Sequence, residues 1–170
     1  MTEAERLSLQ KRAEEGDDGA QAILGLWYLG SKDHVKAFEY FSKAAERGNA
    51  QAQCRLGLLY LAGQGVANDL AKSFEWLSKA AEQGDAKAQF YVGLAYNTGG
   101  GVQEDNSKAA EWYEKAAEQG DADAQFELSL LYLTGKGVQA NTDKGQSLLL
   151  KAAEQGNDKA KDLLARIAAG

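Results

Sequence analysis

The feature that most constrains this chain is that it repeats itself. Residues 44–79, 80–115 and 116–151 align without a gap as three blocks of 36 residues, and the last two share 19 identities. Both begin Ala-Ala-Glu-Gln-Gly-Asp-Ala. A further copy, shorter by four residues, occupies 12–43, and a partial copy spans 152–170. A unit of this length is one supersecondary element that cannot bury its own apolar face, so the copies must stack. The 170 residues therefore read as one repeat domain rather than a single folded-back core.

Each copy contains two helical patterns. In the block 44–79 the first runs from about 49 to 62. Gln53, Leu56, Gly57 and Tyr60 fall at i, i+3, i+4 and i+7, the spacing of one helix face. An Asn or Asp opens this helix in every copy, at Asp17, Asn49, Asp85, Asp121 and Asn157. Such side chains accept hydrogen bonds from the free amides of a first turn. The second helix runs from about 69 to 83, with Ser73, Trp76, Leu77, Ala80, Ala81 and Gly84 as its inner stripe. Gly16, Gly48, Gly84, Gly120 and Gly156 follow the second helices, where a left-handed C′ residue is expected. With no proline in the chain, glycine is the only strong punctuation.

Some columns of the alignment report on packing. Gly25, Gly57 and Gly93 sit in helix interiors, where glycine costs about 0.8–1.0 kcal/mol relative to alanine. That cost is explained if another helix crosses there at close range, with Ser129 as the small residue of the last full copy. Tyr28, Tyr60, Tyr96 and Tyr132 lie three residues further on.

These residues carry a resemblance. The stretch AQCRLGLLYLAGQGVANDLAKSFEWLSKAAEQG is similar to the Sel1-like repeat, a relative of the tetratricopeptide repeat. The A-Q-x-x-L-G-x-x-Y run resembles a tetratricopeptide first helix, and the G-x-G-V loop with its 36-residue period marks the Sel1-like form. The first copy departs from the pattern, with YLGSKDHVKA in place of the loop. The caps count about ten helices, and the resemblance implies an all-α fold, a right-handed α-α superhelix, with the first helix of each repeat on the concave face. At the ends, residues 2–15 match a second helix and 152–170 a trimmed repeat, so both are expected to act as caps. Thr2 to Glu5 can form a capping box, Ser8 stands in the column of Tyr40, Trp76 and Trp112, and Ala168 replaces the column tyrosine.

Composition narrows the partners. The formal net charge is −6, which disfavours a phosphate backbone, so no nucleic-acid partner is expected. The N-terminus lacks the apolar stretch of a secretion signal, and no apolar run is long enough to span a membrane. A bacterial cytoplasmic location is expected, or a periplasmic or secreted one if a signal has been removed. One cysteine and one histidine supply neither a disulfide nor a ligand cluster, so no metal and no cofactor are expected.

Catalytic readings fare poorly. The glycines at 63–65, 99–101 and 135–137 follow helical patterns, whereas a phosphate cradle follows a strand. They read as turns, with Val66, Val102 and Val138 plugging the gap. Asp33, Asp69 and Asp105 each precede a lysine by three residues (Lys36, Lys72, Lys108), and Asn141 takes the same place in the last copy. An N-cap with a local ion pair accounts for them. Cys54 aligns with Ala22, Phe90 and Phe126 and reads as a packing residue. Cysteine-rich Sel1-like proteins have been linked to β-lactams, but this chain has neither their paired cysteines nor a Ser-x-x-Lys motif with its supporting elements.

Binding is the remaining reading. The resemblance implies a concave face on which residues differing between copies set specificity. The constant column Leu26, Leu58, Leu94 and Leu130 is read as core. Gln51, Lys87 and Asp123 share one variable column; Arg55, Tyr91 and Glu127 share another; Asn97 replaces leucine in a third; and Phe90 and Phe126 adjoin the second. These nine residues are the candidate contacts to a protein or peptide partner, because aromatic and arginine side chains dominate interface energies. The function expected is a non-catalytic adaptor or scaffold. The alternatives are an immunity or host-interaction protein that binds a secreted effector or toxin, and a hydrolase.

Overall fold

The computed structural model describes residues 1–169. Among these, ten helices and no strand are found. They are α1 (Glu3–Glu14), α2 (Asp18–Gly30), α3 (His34–Glu46), α4 (Ala50–Ala62), α5 (Leu70–Glu82), α6 (Ala86–Thr98), α7 (Asn106–Glu118), α8 (Ala122–Thr134), α9 (Thr142–Glu154) and α10 (Asp158–Ala169). The described residues divide into two compact units, Met1–Asp85 and Ala86 onward.

In the first unit, α2 pairs with α3 and α4 with α5, while α1 packs on α2 and α3 on α4. In the second, α6 pairs with α7 and α8 with α9, α7 packs on α8, and α9 on α10. This is the alternation that two helices per copy demand. The expected caps are in place. Asp17, Asn49, Asp121 and Asn157 accept from Ala20, Ala52, Ala124 and Ala160 amides at 2.8–2.9 Å. Asp33, Asp69, Asp105 and Asn141 do the same for the second helices. The capping box at Thr2 and Glu5 forms in both directions. The glycines closing the second helices have φ of 91–95°, the left-handed region that C′ requires. Gly84 ends the predicted inner stripe but lies exposed.

Close crossings occur where the mid-helix glycines predict them. A Cβ at Gly57 would lie 2.6 Å from Leu77 Cγ, and one at Gly25 or Gly93 would lie 2.7 Å from the ring of Phe41 or Tyr113. In the pair α8–α9 the small residue changes sides. Ser129 takes the glycine column and Gly145 appears opposite, where a Cβ would meet Leu133 Cγ at 2.7 Å and the Ser129 carbonyl at 3.1 Å.

The loop glycines also have a packing cause. Gly65 and Gly137 have φ of 72° and 75°. A Cβ on Gly65 would come within 2.1 Å of the His34 carbonyl oxygen, and one on Gly137 within 2.4 Å of the Asn106 carbonyl carbon. Gly65 and Gly137 thus press on the starts of α3 and α7, and Ser107 donates to the Gly137 carbonyl at 2.9 Å.

Beneath α4 and α8 runs a glutamine ladder. Gln53 and Gln125 donate to the Ala45 and Ala117 carbonyls, and accept from Gln83 and Gln155. Buried amides satisfied in this way tie one repeat to the next, and leaving one unpaired would cost roughly 1–3 kcal/mol.

Candidate functional site

A helix with 3.6 residues per turn presents distinct stripes, and each first helix shows two. The inner stripe is Leu24, Leu56, Val92 and Leu128, exposed by no more than 1%. The constant column read as core, Leu26, Leu58, Leu94 and Leu130, is half-buried, and Leu26, Leu94 and Leu130 pack against the edge of the core. Two residues turn the helix by about 200°, so this leucine points away from the crossing. It shares the outer stripe with the variable residues, three positions beyond Arg55, Tyr91 or Glu127.

In the first unit the outer stripe of α4 consists of exposed Gln51, half-buried Arg55 and Leu58, and exposed Ala62. In the second unit α6 presents exposed Lys87, half-buried Tyr91 and Leu94, and exposed Thr98. On α8 the same places hold exposed Asp123, half-buried Glu127 and Leu130, and exposed Thr134. Each stripe therefore offers one constant apolar residue framed by side chains that change in charge and size.

The two phenylalanines belong mainly to the interior. Phe126, expected among the partner contacts, is only 8% exposed and packs with Leu149, Ala152 and Ala160. Its position, one residue before the outer stripe, turns it toward α9 and α10. Phe90 is half-buried, with its ring 5.2 Å from that of Tyr91 and 5.9 Å from that of Tyr113. Cys54, in the same column, is buried as a packing residue.

Within the second unit, the side chains of Asn97 and Tyr113 meet. The Tyr113 ring passes under Gly93 on its way from α7. The Asn97 side-chain amide lies beside its hydroxyl, and Glu127 is close enough to oppose its ionisation. Burial, with a smaller push from Glu127, drives the Tyr113 hydroxyl well above its ordinary range. Neither Tyr113 Oη nor Asn97 Oδ1 makes a hydrogen bond of acceptable geometry. The Glu127 carboxyl is raised first by burial; Asp123 adds to the rise and Lys159 opposes it. Sequence reading singled out Asn97 and Glu127 but missed Tyr113. The signal was present, because its column otherwise holds Phe41, Leu77 and Leu149.

The recurring Asp–Lys pairs are the predicted caps with ion pairs of 3.5–3.6 Å. A third partner was missed. The Lys36, Lys72, Lys108 and Lys144 ammonium groups stand 4.4–5.4 Å from the ring centres of Tyr28, Tyr60, Tyr96 and Tyr132. That explains the constant tyrosine: it receives the lysine of its own repeat's second helix. Lys144 also donates to Tyr132 Oη and Glu114, and these bonds raise its pKa.

The Sel1 repeat profile matches residues 19–49, 50–85, 86–121 and 122–157. The chain belongs to the Sel1 repeat family. Sel1 repeat proteins generally mediate protein–protein interactions and are generally non-catalytic scaffolds. Among solved structures, a protective antigen of uropathogenic Escherichia coli with an SLR fold is 36% identical, with a TM-score of 0.89 over 95% of this chain and 36% of that one. A Sel1 repeat protein from Oxalobacter formigenes is 33% identical, with a TM-score of 0.86 over 95% of this chain and 66% of that one. Helicobacter pylori cysteine rich protein B is 30% identical, with a TM-score of 0.60 over 77% of this chain and 94% of that one. The chain thus spans about a third of the antigen's length and just under two thirds of the Oxalobacter protein's. No curated protein matches it. The fold is the all-α helical-repeat solenoid of this family. No described helix is long and apolar enough to cross a membrane.

Proposed function

We propose that this Sel1 chain is a non-catalytic adaptor that binds a protein or peptide segment on the outer stripes of its first helices. The observation that carries the reading is the pattern on those stripes. A constant half-buried leucine recurs beside a position that is Arg55, Tyr91 or Glu127 in successive repeats. Half-buried aromatic and arginine side chains beside fixed apolar ones are what an interface uses for energy and specificity. The outer positions of the second helices differ, since Glu75 and Lys79 are spent on each other at 2.6 Å and Lys79 and Lys115 cover the rings of Trp76 and Trp112. We place the protein in the bacterial cytoplasm, which cell fractionation tests. A second reading, that the partner is a secreted effector or a host protein, draws support from the relative described as a protective antigen.

The test is a pull-down from the source cell followed by calorimetric titration of the recovered partner. Replacing Arg55, Tyr91 and Glu127 together with alanine should weaken binding by about 2 kcal/mol or more, with helicity by circular dichroism retained. Replacing Glu75, Lys79 and Glu111 should leave affinity nearly unchanged. The opposite outcome would move the binding face to the second helices.

A further inference from the structure

The two first helices of the first unit carry almost no charge. Asp18 is the single charged side chain of α2, and Arg55 that of α4. Asp18 is engaged within the fold, accepting from the Asn49 amide at 2.9 Å. Arg55 is not. It is half-buried, yet among the described residues no acid lies within ion-pair distance of it and no hydrogen bond holds it. The arginines of α1 are used at home: Arg12 donates to Asp17 at 2.9 Å, and the Arg6 guanidinium lies 5.7 Å from the centre of the Trp27 ring.

Beside Arg55 stands an uncovered apolar side chain. Ile23 occupies the same place on α2 and is 47% exposed. The Asn49–Asp18 bond ties the starts of α2 and α4 together, and the two helices touch. Because α3 returns the chain between them, they run in the same direction, and residues at equal positions are neighbours. Packed helices lie about 8–10 Å apart. An extended chain advances about 3.3 Å per residue, so side chains three residues apart on such a chain span that distance. Exposed Gln51 lies one turn before Arg55, and half-buried Leu58 one turn after it.

Arg55 constrains what can cover these helices. A guanidinium carries five donors and no acceptor. A neutral segment laid over it strips its remaining water and returns little, and burying a charge without a partner is unfavourable. A basic segment adds repulsion. A carboxylate matches the guanidinium fork with two parallel charge-assisted hydrogen bonds. A net charge of −6 disfavours a polyanion, so a single carboxylate fits better than a phosphate chain. Exposed Ile23, in turn, gains from an apolar neighbour. One position asks for an anion, and the next, one repeat away, for a hydrocarbon.

We propose that the outer stripes of α2 and α4 take an extended peptide segment in which an aspartate or glutamate pairs with Arg55 and an apolar side chain three residues away lies on Ile23. The inference rests on the peptide-binding reading above and names the partner chemistry that this reading leaves open.

The test uses the whole protein, immobilised, and pools of acetylated, amidated octapeptides with two fixed positions three residues apart. The fixed pairs are glutamate with leucine in either order, and the same pairs with glutamine in place of glutamate or serine in place of leucine. One order of glutamate and leucine should be retained roughly tenfold better than its glutamine or serine counterpart. Arg55→Gln should remove the preference for glutamate over glutamine and keep that for leucine over serine. Ile23→Ser should do the reverse. Both positions lie on the surface, so helicity and melting temperature should stay as in the parent. Lys79→Gln, on α5, should change neither preference. Equal retention of glutamate and glutamine pools overturns the pairing with Arg55 and leaves peptide binding standing. So does a glutamate preference that survives Arg55→Gln, or one that Lys79→Gln weakens equally, which would reduce it to net charge. A leucine preference untouched by Ile23→Ser overturns the apolar contact. Retention of no pool at all would remove both this inference and the peptide-binding reading.

Discussion

The first unit crosses α4 over α5 with Leu77 beneath Gly57, and the second crosses α6 over α7 with Tyr113 beneath Gly93. The backbone problem is the same, and glycine solves it in both. The side chains that fill the space differ in kind. Leu77 closes the first crossing with apolar atoms alone, 2% exposed. Tyr113 carries a hydroxyl through its crossing and leaves it without a hydrogen bond. The first arrangement is what stability by itself favours. The second keeps a buried hydroxyl where an apolar side chain would fit.

The largest way to break this comparison is to remove the shared element. Gly93→Leu and Gly57→Leu should each cost roughly 3 kcal/mol, the upper end for overpacking, measured by chemical denaturation. A tolerated leucine at either site would show that the crossing relaxes freely. Leu77→Tyr installs the second unit's solution in the first unit. It should cost about 2 kcal/mol, combining an unpaired hydroxyl with extra volume. If it is neutral, the Tyr113 hydroxyl is no burden either, and the contrast between the crossings disappears.

The pair α8–α9 offers a finer probe. Gly145→Ala should cost about 1–2 kcal/mol, because its Cβ meets Leu133 and the Ser129 carbonyl. Adding Ser129→Gly should recover part of that loss. A coupling energy of at least about 0.5 kcal/mol in a double-mutant cycle is expected, and strict additivity would show that the two small residues do not compensate each other.

The smallest effect is the pH dependence of Glu127. Its folded pKa is raised, chiefly by burial, so the folded chain holds this proton more tightly than the unfolded one. Its contribution therefore worsens as pH rises from the ordinary value of 4.5 through the raised folded value, and stays unfavourable above it. Glu127→Gln should leave stability at neutral pH equal or slightly higher, with the difference shrinking in acid below that window. A variant less stable at neutral pH would mean that the Lys159 attraction outweighs burial.

Much of this was legible before any coordinates. The caps at Asp17, Asn49, Asp121 and Asn157 were readable because a cap is local: the side chain bonds an amide three residues away. The crossing at Gly93 was readable because glycine in a helix interior is costly and must have a cause. The core reading of Leu58 and Leu94 was only half right: Leu94 packs against the edge of the core, but both are half-buried and their spacing from Arg55 and Tyr91 puts them on the outer stripe. A constant residue can pack on the core with one side and frame a variable face with the other. Phe126 was misread because one step along a helix turns a side chain by about 100°, enough to take it from partner-facing to interior.

The sequence alone determined the period, the ten helices and their boundaries, since each rests on short-range physics: hydrogen bonds within a turn, helical spacing of apolar residues, and glycine at left-handed positions. It also determined the family, because the same local rules are written four times. Only the tertiary structure decided which side chains meet across repeats. The pressing of Gly65 on His34, the seating of Lys72 over Tyr60, and the meeting of Asn97 and Tyr113 bring together residues distant along the chain. The last of these joins α6 and α7. Such contacts depend on helix-to-helix distance and rotation, which are fixed by packing volume rather than by any pattern along the chain.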